Sequence, residues 1–150
     1  MRTLWDEADR RELIARIDKL SPQAKARWGK MNAPQMLVHI ADAFRMSLGD
    51  IHVRFRKTPL RFTAVKLFVI YVLPFIPKGA PTAPELQKSQ PAGWREDVAQ
   101  LRALIDRLVA ARNRPASEWP PHPTFGPLSE RAWGVLNYKH LDHHLKQFGG

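Results

Sequence analysis

The sequence predicts an all-α fold, on three observations. Several segments place apolar residues three and four positions apart, the period of a helical face and not of a strand. Stretches rich in proline and small residues separate them. Strand signal is confined to the short "IHVRF" at residues 51–55. With 150 residues and 44% hydrophobic content, the chain suits a single core, so one domain over residues 1–150 is expected.

The elements follow in order. From Leu4 to Leu20, Ala8, Leu13, Ile14, Ile17 and Leu20 recur at helical spacing, and Ser21-Pro22 ends the pattern. A second helix begins at Asn32, whose side chain can cap while Gln35 returns the bond; Pro34 falls in the first turn, where its missing N–H is harmless. It runs to about Leu48 and stops at Gly49. The segment from about Pro59 to Leu73 is apolar on most faces and is broken by Pro74 and Pro77, which predicts a short, deeply buried helix. After "PKGAPTAPELQKSQPAG", an amphipathic helix spans about Trp94 to Arg112 with Val98, Leu101, Ile105 and Leu108 on one stripe, and Pro115 prevents its continuation. A second turn-rich connection delivers the chain to Ser129, the expected N-cap of a final helix ending at Gly149.

Composition excludes some functions. There is no cysteine, so the chain has no disulfide, thiolate ligand or nucleophilic cysteine of its own. The first twelve residues are dense in acid and base and lack a signal peptide's apolar core, which makes the cytoplasm the expected address. The longest apolar run, Leu67 to Pro77, lies between Lys66 and Lys78. It falls short of the roughly 20 residues that a spanning helix needs, so no transmembrane segment is expected and the run reads as a buried or surface-inserting element.

The net charge is +10, which attracts phosphates non-specifically. Its distribution is uneven: between Ile51 and Lys66 stand Arg54, Arg56, Lys57, Arg61 and Lys66 without one acid, while the other bases mostly alternate with carboxylates. This is one basic patch, either a solvated rim or a docking surface, and no specific nucleic-acid partner is expected.

The last helix, "NYKHLDHHLKQF", holds three of the six histidines. At about 100° per residue, His140 and His144 fall roughly 20° either side of Trp133 and point toward the core, while His143 falls at the rim. Two imidazoles at i and i+4 can share one cation. The glutamate that follows the first histidine in metalloprotease helices is missing, so peptide hydrolysis by that device is not supported. His39, in the middle of the second helix, also points inward. Three buried imidazoles without a common purpose would each need separate partners, at about 1–3 kcal/mol for each one unsatisfied. One divalent cation satisfies all three, and a three-histidine site leaves positions open for water or substrate.

The stretches "RWGKMNAPQMLVHIADAF" and "HPTFGPLSERAWGVLNYKHLDHHLKQF" resemble the DinB-like superfamily, in its domain-of-unknown-function 1569 branch, over most of the chain from Trp28 to Phe148. The resemblance implies a four-helix bundle with one long crossover and a divalent metal, Zn²⁺ or Ni²⁺, held by one histidine of an early helix and an H-x-x-x-H pair of a late one. Those positions are His39, His140 and His144 here. It also implies a homodimer, and a transferase or isomerase activity that uses a low-molecular-weight thiol such as mycothiol, bacillithiol or glutathione. The branch carries no agreed activity, and the thiol-binding residues of its relatives do not map onto this sequence.

The leading expectation is therefore a metal-dependent transferase acting on a small-molecule substrate. A metal-bound thiol is deprotonated at neutral pH, where a free thiol of pKa about 8.5 is not. Met36, Phe44, Trp133 and Phe148 are candidate walls for an apolar substrate or ordinary core. Arg54, Arg56 and Arg61 are candidate carboxylate partners, and His122 and His143 are candidate proton carriers. Two alternatives remain open. A metal-activated hydrolase would use a bound water with a base such as Asp42 or His143. A non-catalytic binding module would use the basic patch at 54–66 and the apolar run that follows.

Overall fold

Asp6 sits in extended conformation, accepts from Asp9 N and opens α1 (Glu7–Lys19), which buries Leu13 and Ile17. The helix thus starts later than its apolar pattern. Leu4 and Trp5 form an arm docked on the last helix, where Leu4 N donates to Gly134 O at 3.0 Å and Trp5 Nε1 to Glu130 O at 2.9 Å. The computed structural model describes residues 1–79 and 82–150.

Asn32 and Gln35 exchange hydrogen bonds at the start of α2 (Ala33–Leu48), with proline in the first turn, and Gly49 closes it at φ 94°. A left-handed residue ends a helix with least strain when it is glycine. α2 is buried along most of its length and packs chiefly against α4 (Trp94–Ala110). α4 contributes Leu101, Leu104, Ile105 and Leu108, and its buried Asp97 accepts from Ala92 N and Gly93 N just ahead of the helix. Ser129 accepts from Ala132 N and caps α5 (Glu130–Gln147), which touches α1 and α2. The buried apolar residues form one cluster running from Leu4 to Phe148.

One expectation is corrected. The segment expected as a deeply buried helix begins with a 3-10 turn at Pro59–Arg61, forms α3 (Thr63–Leu67), and ends in a π-helical turn at Phe68–Val72. Only Ile70 of these is buried, and Phe62 remains 70% exposed. The segment is apolar all round, yet it meets the bundle on one side only, as a strap across α5. Lys139 of α5 holds it there, donating from Nζ to the carbonyls of Val69, Ile70 and Leu73, as a cation does at a helix C-terminus. The stretch "IHVRF" agrees with the all-α expectation. Val53 is buried, but no strand forms among the described residues, whose one bridge joins His122 and Gly126. No second extended segment pairs with it, so it cannot build a ladder.

Candidate metal centre

His39 lies in the middle of α2, and His140 and His144 lie one turn apart on α5. The i, i+4 spacing stacks the two α5 rings on one face, and α2 meets that face. Ring centroids are 5.1 Å apart for His39 and His140, 5.0 Å for His39 and His144, and 5.0 Å for His140 and His144. One ligand-capable nitrogen from each lies within 4.8 Å of the other two.

His39 Nε2 faces His140 Nε2 at 3.2 Å. Two ring nitrogens so placed share either a proton or a cation. A tetrahedral metal with metal–nitrogen bonds of about 2.0–2.1 Å would hold its ligand nitrogens roughly 3.3 Å apart, close to that separation.

Contacts behind the rings present the required lone pairs. His39 Nδ1 lies 3.1 Å from Leu86 O, so the proton sits on Nδ1 and Nε2 is free to coordinate. His144 Nδ1 lies 2.8 Å from Gln147 Oε1. The Gln147 amide nitrogen in turn donates to Trp28 O at 2.6 Å, which orients the amide with its oxygen toward the ring. Such partners fix the tautomer and the ring orientation of metal-binding histidines.

Burial keeps all three rings neutral. Desolvation lowers the His39 pKa against the opposing pull of the Leu86 carbonyl and Asp42. Desolvation, and then the neighbouring His39, push His144 down to about 3. His140 falls well below the usual range through burial first, and then through repulsion from His144 and His39. Neutral imidazoles are the form that binds a metal. The three histidines could therefore hold a metal ion.

The triad forms part of the wall of a cavity of about 890 Å³. From α2 the cavity takes Gln35, His39, Ala43 and Met46, and from α5 Trp133, Leu136, His140, His143, His144 and Gln147 among others. The strap and the turns after α2 and before α5 close it with Val69, Leu73, Ile76, Leu86 and Phe125. Among the described residues no carboxylate lines it, whereas Lys30, Arg56 and Lys139 do.

A two-helix histidine triad beneath a cavity, with the motifs around it, runs through nearly the whole chain, and so does the family match. The chain belongs to the family described as "Protein of unknown function (DUF1569)", which matches residues 5–149. No curated protein and no solved structure matches it.

The structure separates the other candidate residues of this DUF1569 chain. Trp133 and Arg56 line the cavity, and Arg54 does not. Met36 and Phe44 are fully buried core and take no part in the wall. The lining face of α2 runs through residues 35, 39, 43 and 46; Met36, about 60° from His39, falls just past its edge, and Phe44 stands about 140° away. Phe148 lies past the end of α5 and lines a separate depression beside Arg16 and Leu20. The Arg61 guanidinium packs on the Phe55 ring at 4.0 Å.

His122 also lines the cavity, with its ring 5.4 Å from Trp133. Its Nδ1 accepts from Thr124 N and Phe125 N, and desolvation pushes its pKa down to about 3. Those two N–H donors commit one nitrogen, so the proton rests on the other. His143 stands at the rim, edge-on to Trp28 at 5.6 Å and to His144 at 5.1 Å. Asp42 is fully buried and does not itself line the cavity; its Oδ1 pairs with Arg45 at 2.7 Å and accepts from Ser89, which does line it.

The histidine stripes do not by themselves indicate Gln147, Leu86 or Lys139. Gln147 carried a usable signal, since it lies three residues after His144 on the same face of α5. Leu86 contributes a main-chain carbonyl, which no side-chain pattern marks.

Proposed function

We propose that this chain is a metal-dependent enzyme of the DinB-like superfamily, in which His39, His140 and His144 hold Zn²⁺ or Ni²⁺ and an external low-molecular-weight thiol is transferred to a small electrophilic substrate. The observation that supports it is the triad of neutral imidazoles opening onto a cavity large enough for a thiol and a second molecule. A cation bound there would supply a thiolate at neutral pH. The superfamily resemblance also supports a homodimer.

The chain's own residues fit an anionic thiol. Lys30 and Arg56 bring positive charge to the cavity wall and would receive its carboxylates. Trp133, Leu136, Val69 and Phe125 offer an apolar wall for the substrate. His143, at the rim, would carry protons between the cavity and solvent.

The hydrolase reading is less well supported by the same wall. A water nucleophile needs a base beside it. No carboxylate lines the cavity among the described residues, Asp42 stands outside its wall, the His122 Nδ1 lone pair is committed to the main chain, and His143 stands at the rim behind His144.

The test begins with elemental analysis of protein purified without a histidine tag. One metal per chain, lost in His140→Ala, is expected; no metal and an unchanged stability in chelator would overturn the enzyme reading. Cobalt-substituted protein is then titrated with glutathione, bacillithiol and mycothiol. A thiolate-to-cobalt absorption band is expected with one of them, and its absence with all three would leave the hydrolase as the better reading.

A further inference from the structure

We propose that the outward face of residues 55–75 docks on an anionic membrane surface. Apart from Met1, every large apolar side chain exposed among the described residues falls in this stretch. Phe55 is 61% exposed, Phe62 70%, Phe68 53%, Val72 63% and Phe75 58%. Isolated apolar residues on a surface are ordinary, but a concentrated group marks an interaction site. Phe62, Val65, Phe68 and Val72 follow one another at three- and four-residue steps, so they form one stripe along α3 and its π-helical turn.

The charges around the stripe select the partner. Arg54, Lys57, Arg61 and Lys66 flank it, Arg56 stands between it and the cavity mouth, and there is no acid between residues 51 and 66. None of the five takes part in an ion pair among the described residues, where the ion pairs all lie elsewhere. The Glu85 carboxylate accepts from the Arg54 main chain, at 3.4 Å, and pairs with none of the five side chains. Contact between Arg61 and the Phe55 ring, at 4.0 Å, joins the cations to the apolar residues in one surface.

A second copy pairing through this same face would set five cations against five, and like charges brought together at an interface oppose association. An anionic lipid surface satisfies both halves at once, because headgroups take the cations while the acyl boundary accepts phenylalanine and valine. The strap stays outside the bundle for the same reason. Its inner side supplies Val69, Leu73 and Ile76 to the cavity wall, so its outer side is left for another apolar phase. The inference does not depend on a metal in the cavity.

The experiment is co-sedimentation of the full chain with vesicles of equimolar phosphatidylglycerol and phosphatidylcholine, against vesicles of phosphatidylcholine alone, at about 0.1 M salt. Binding to the mixed vesicles and not to the neutral ones is expected. Phe62→Asp with Phe68→Asp should lower the partition coefficient at least tenfold. Arg54→Gln with Lys57→Gln should lower it roughly twentyfold, about fivefold for each charge near the surface. All four side chains are exposed, and unchanged thermal melts would verify that the variants fold. Absence of binding to the mixed vesicles would overturn the proposal. So would binding that the two phenylalanine substitutions leave unchanged, which is charge adsorption without insertion. A dimer in sedimentation velocity that Phe62→Asp with Phe68→Asp dissociates, without vesicle binding, would assign the face to a second copy instead. His140→Ala should bind vesicles as the native chain does, which separates this test from that of the metal.

Discussion

Replacing Gln147 by Leu removes the support behind one of the three histidines while leaving all three in place. Gln147 is buried, its oxygen holds His144 Nδ1 at 2.8 Å, and its nitrogen holds Trp28 O at 2.6 Å. Leucine can do neither. His144 Nδ1–H would be left buried without an acceptor, at about 1–3 kcal/mol, and the ring would be free to take the other tautomer, which moves the proton onto the coordinating nitrogen. Loss of such an outer partner lowers metal affinity about 10–100-fold, or about 1.4–2.7 kcal/mol. Zinc affinity measured by competition with a chromophoric chelator should fall within that range, while urea unfolding of the metal-free protein should report a separate loss of about 1–3 kcal/mol. Affinity within twofold of the native value would refute the argument that Gln147 sets the His144 tautomer.

Three further outcomes are expected. Gly134→Ala would drive a methyl group into the Trp5 indole and Thr3 hydroxyl; detachment of the N-terminal arm should lower stability by about 2–3 kcal/mol and red-shift tryptophan fluorescence. His122 has a folded pKa of about 3 against about 6.5 unfolded, so the unfolded chain binds more protons between those values and stability falls as pH drops below about 6.5. With chelator present, His122→Phe should flatten that fall by about 2.5 kcal/mol near pH 4.5 in urea titrations. His143→Ala should leave zinc affinity within about threefold of native by the same chelator competition, since it supplies no metal ligand and, though its ring packs edge-on to His144, no hydrogen bond that fixes a ligand's tautomer.

The parts of the fold visible in the sequence were those written in local chemistry. Asn32 with Gln35, Gly49 and Ser129 mark helix ends because capping is a matter of a few adjacent side chains. The inward aim of His39, His140 and His144 was legible because the helical period converts spacing into direction. The exposure of Phe62 and Phe68 was not, because an apolar segment does not state whether one side or every side meets a core. The sequence left Met36 and Phe44 open between cavity wall and ordinary core, and the structure puts them in the core. The difference is a rotation of about 60° for Met36 and about 140° for Phe44 around α2, decided by where α5 and the strap lie. The cavity's remaining walls come from connections whose positions depend on the whole bundle, so their residues carry no periodic signature at all.

His39 and His140 are separated by 101 positions. An ion bound by His39, His140 and His144 would therefore tie two distant parts of the chain together. In the unfolded chain the α5 pair alone can approach a cation, and the entropy of closing so long a loop keeps the third imidazole away. The full site exists only when α2 and α5 have met, so metal uptake and bundle closure become one equilibrium. Free metal at about 100 times its dissociation constant would then stabilise the folded state by about 2.7 kcal/mol. The abundance of folded protein would track the free metal supply of its surroundings, whatever reaction the cavity carries out.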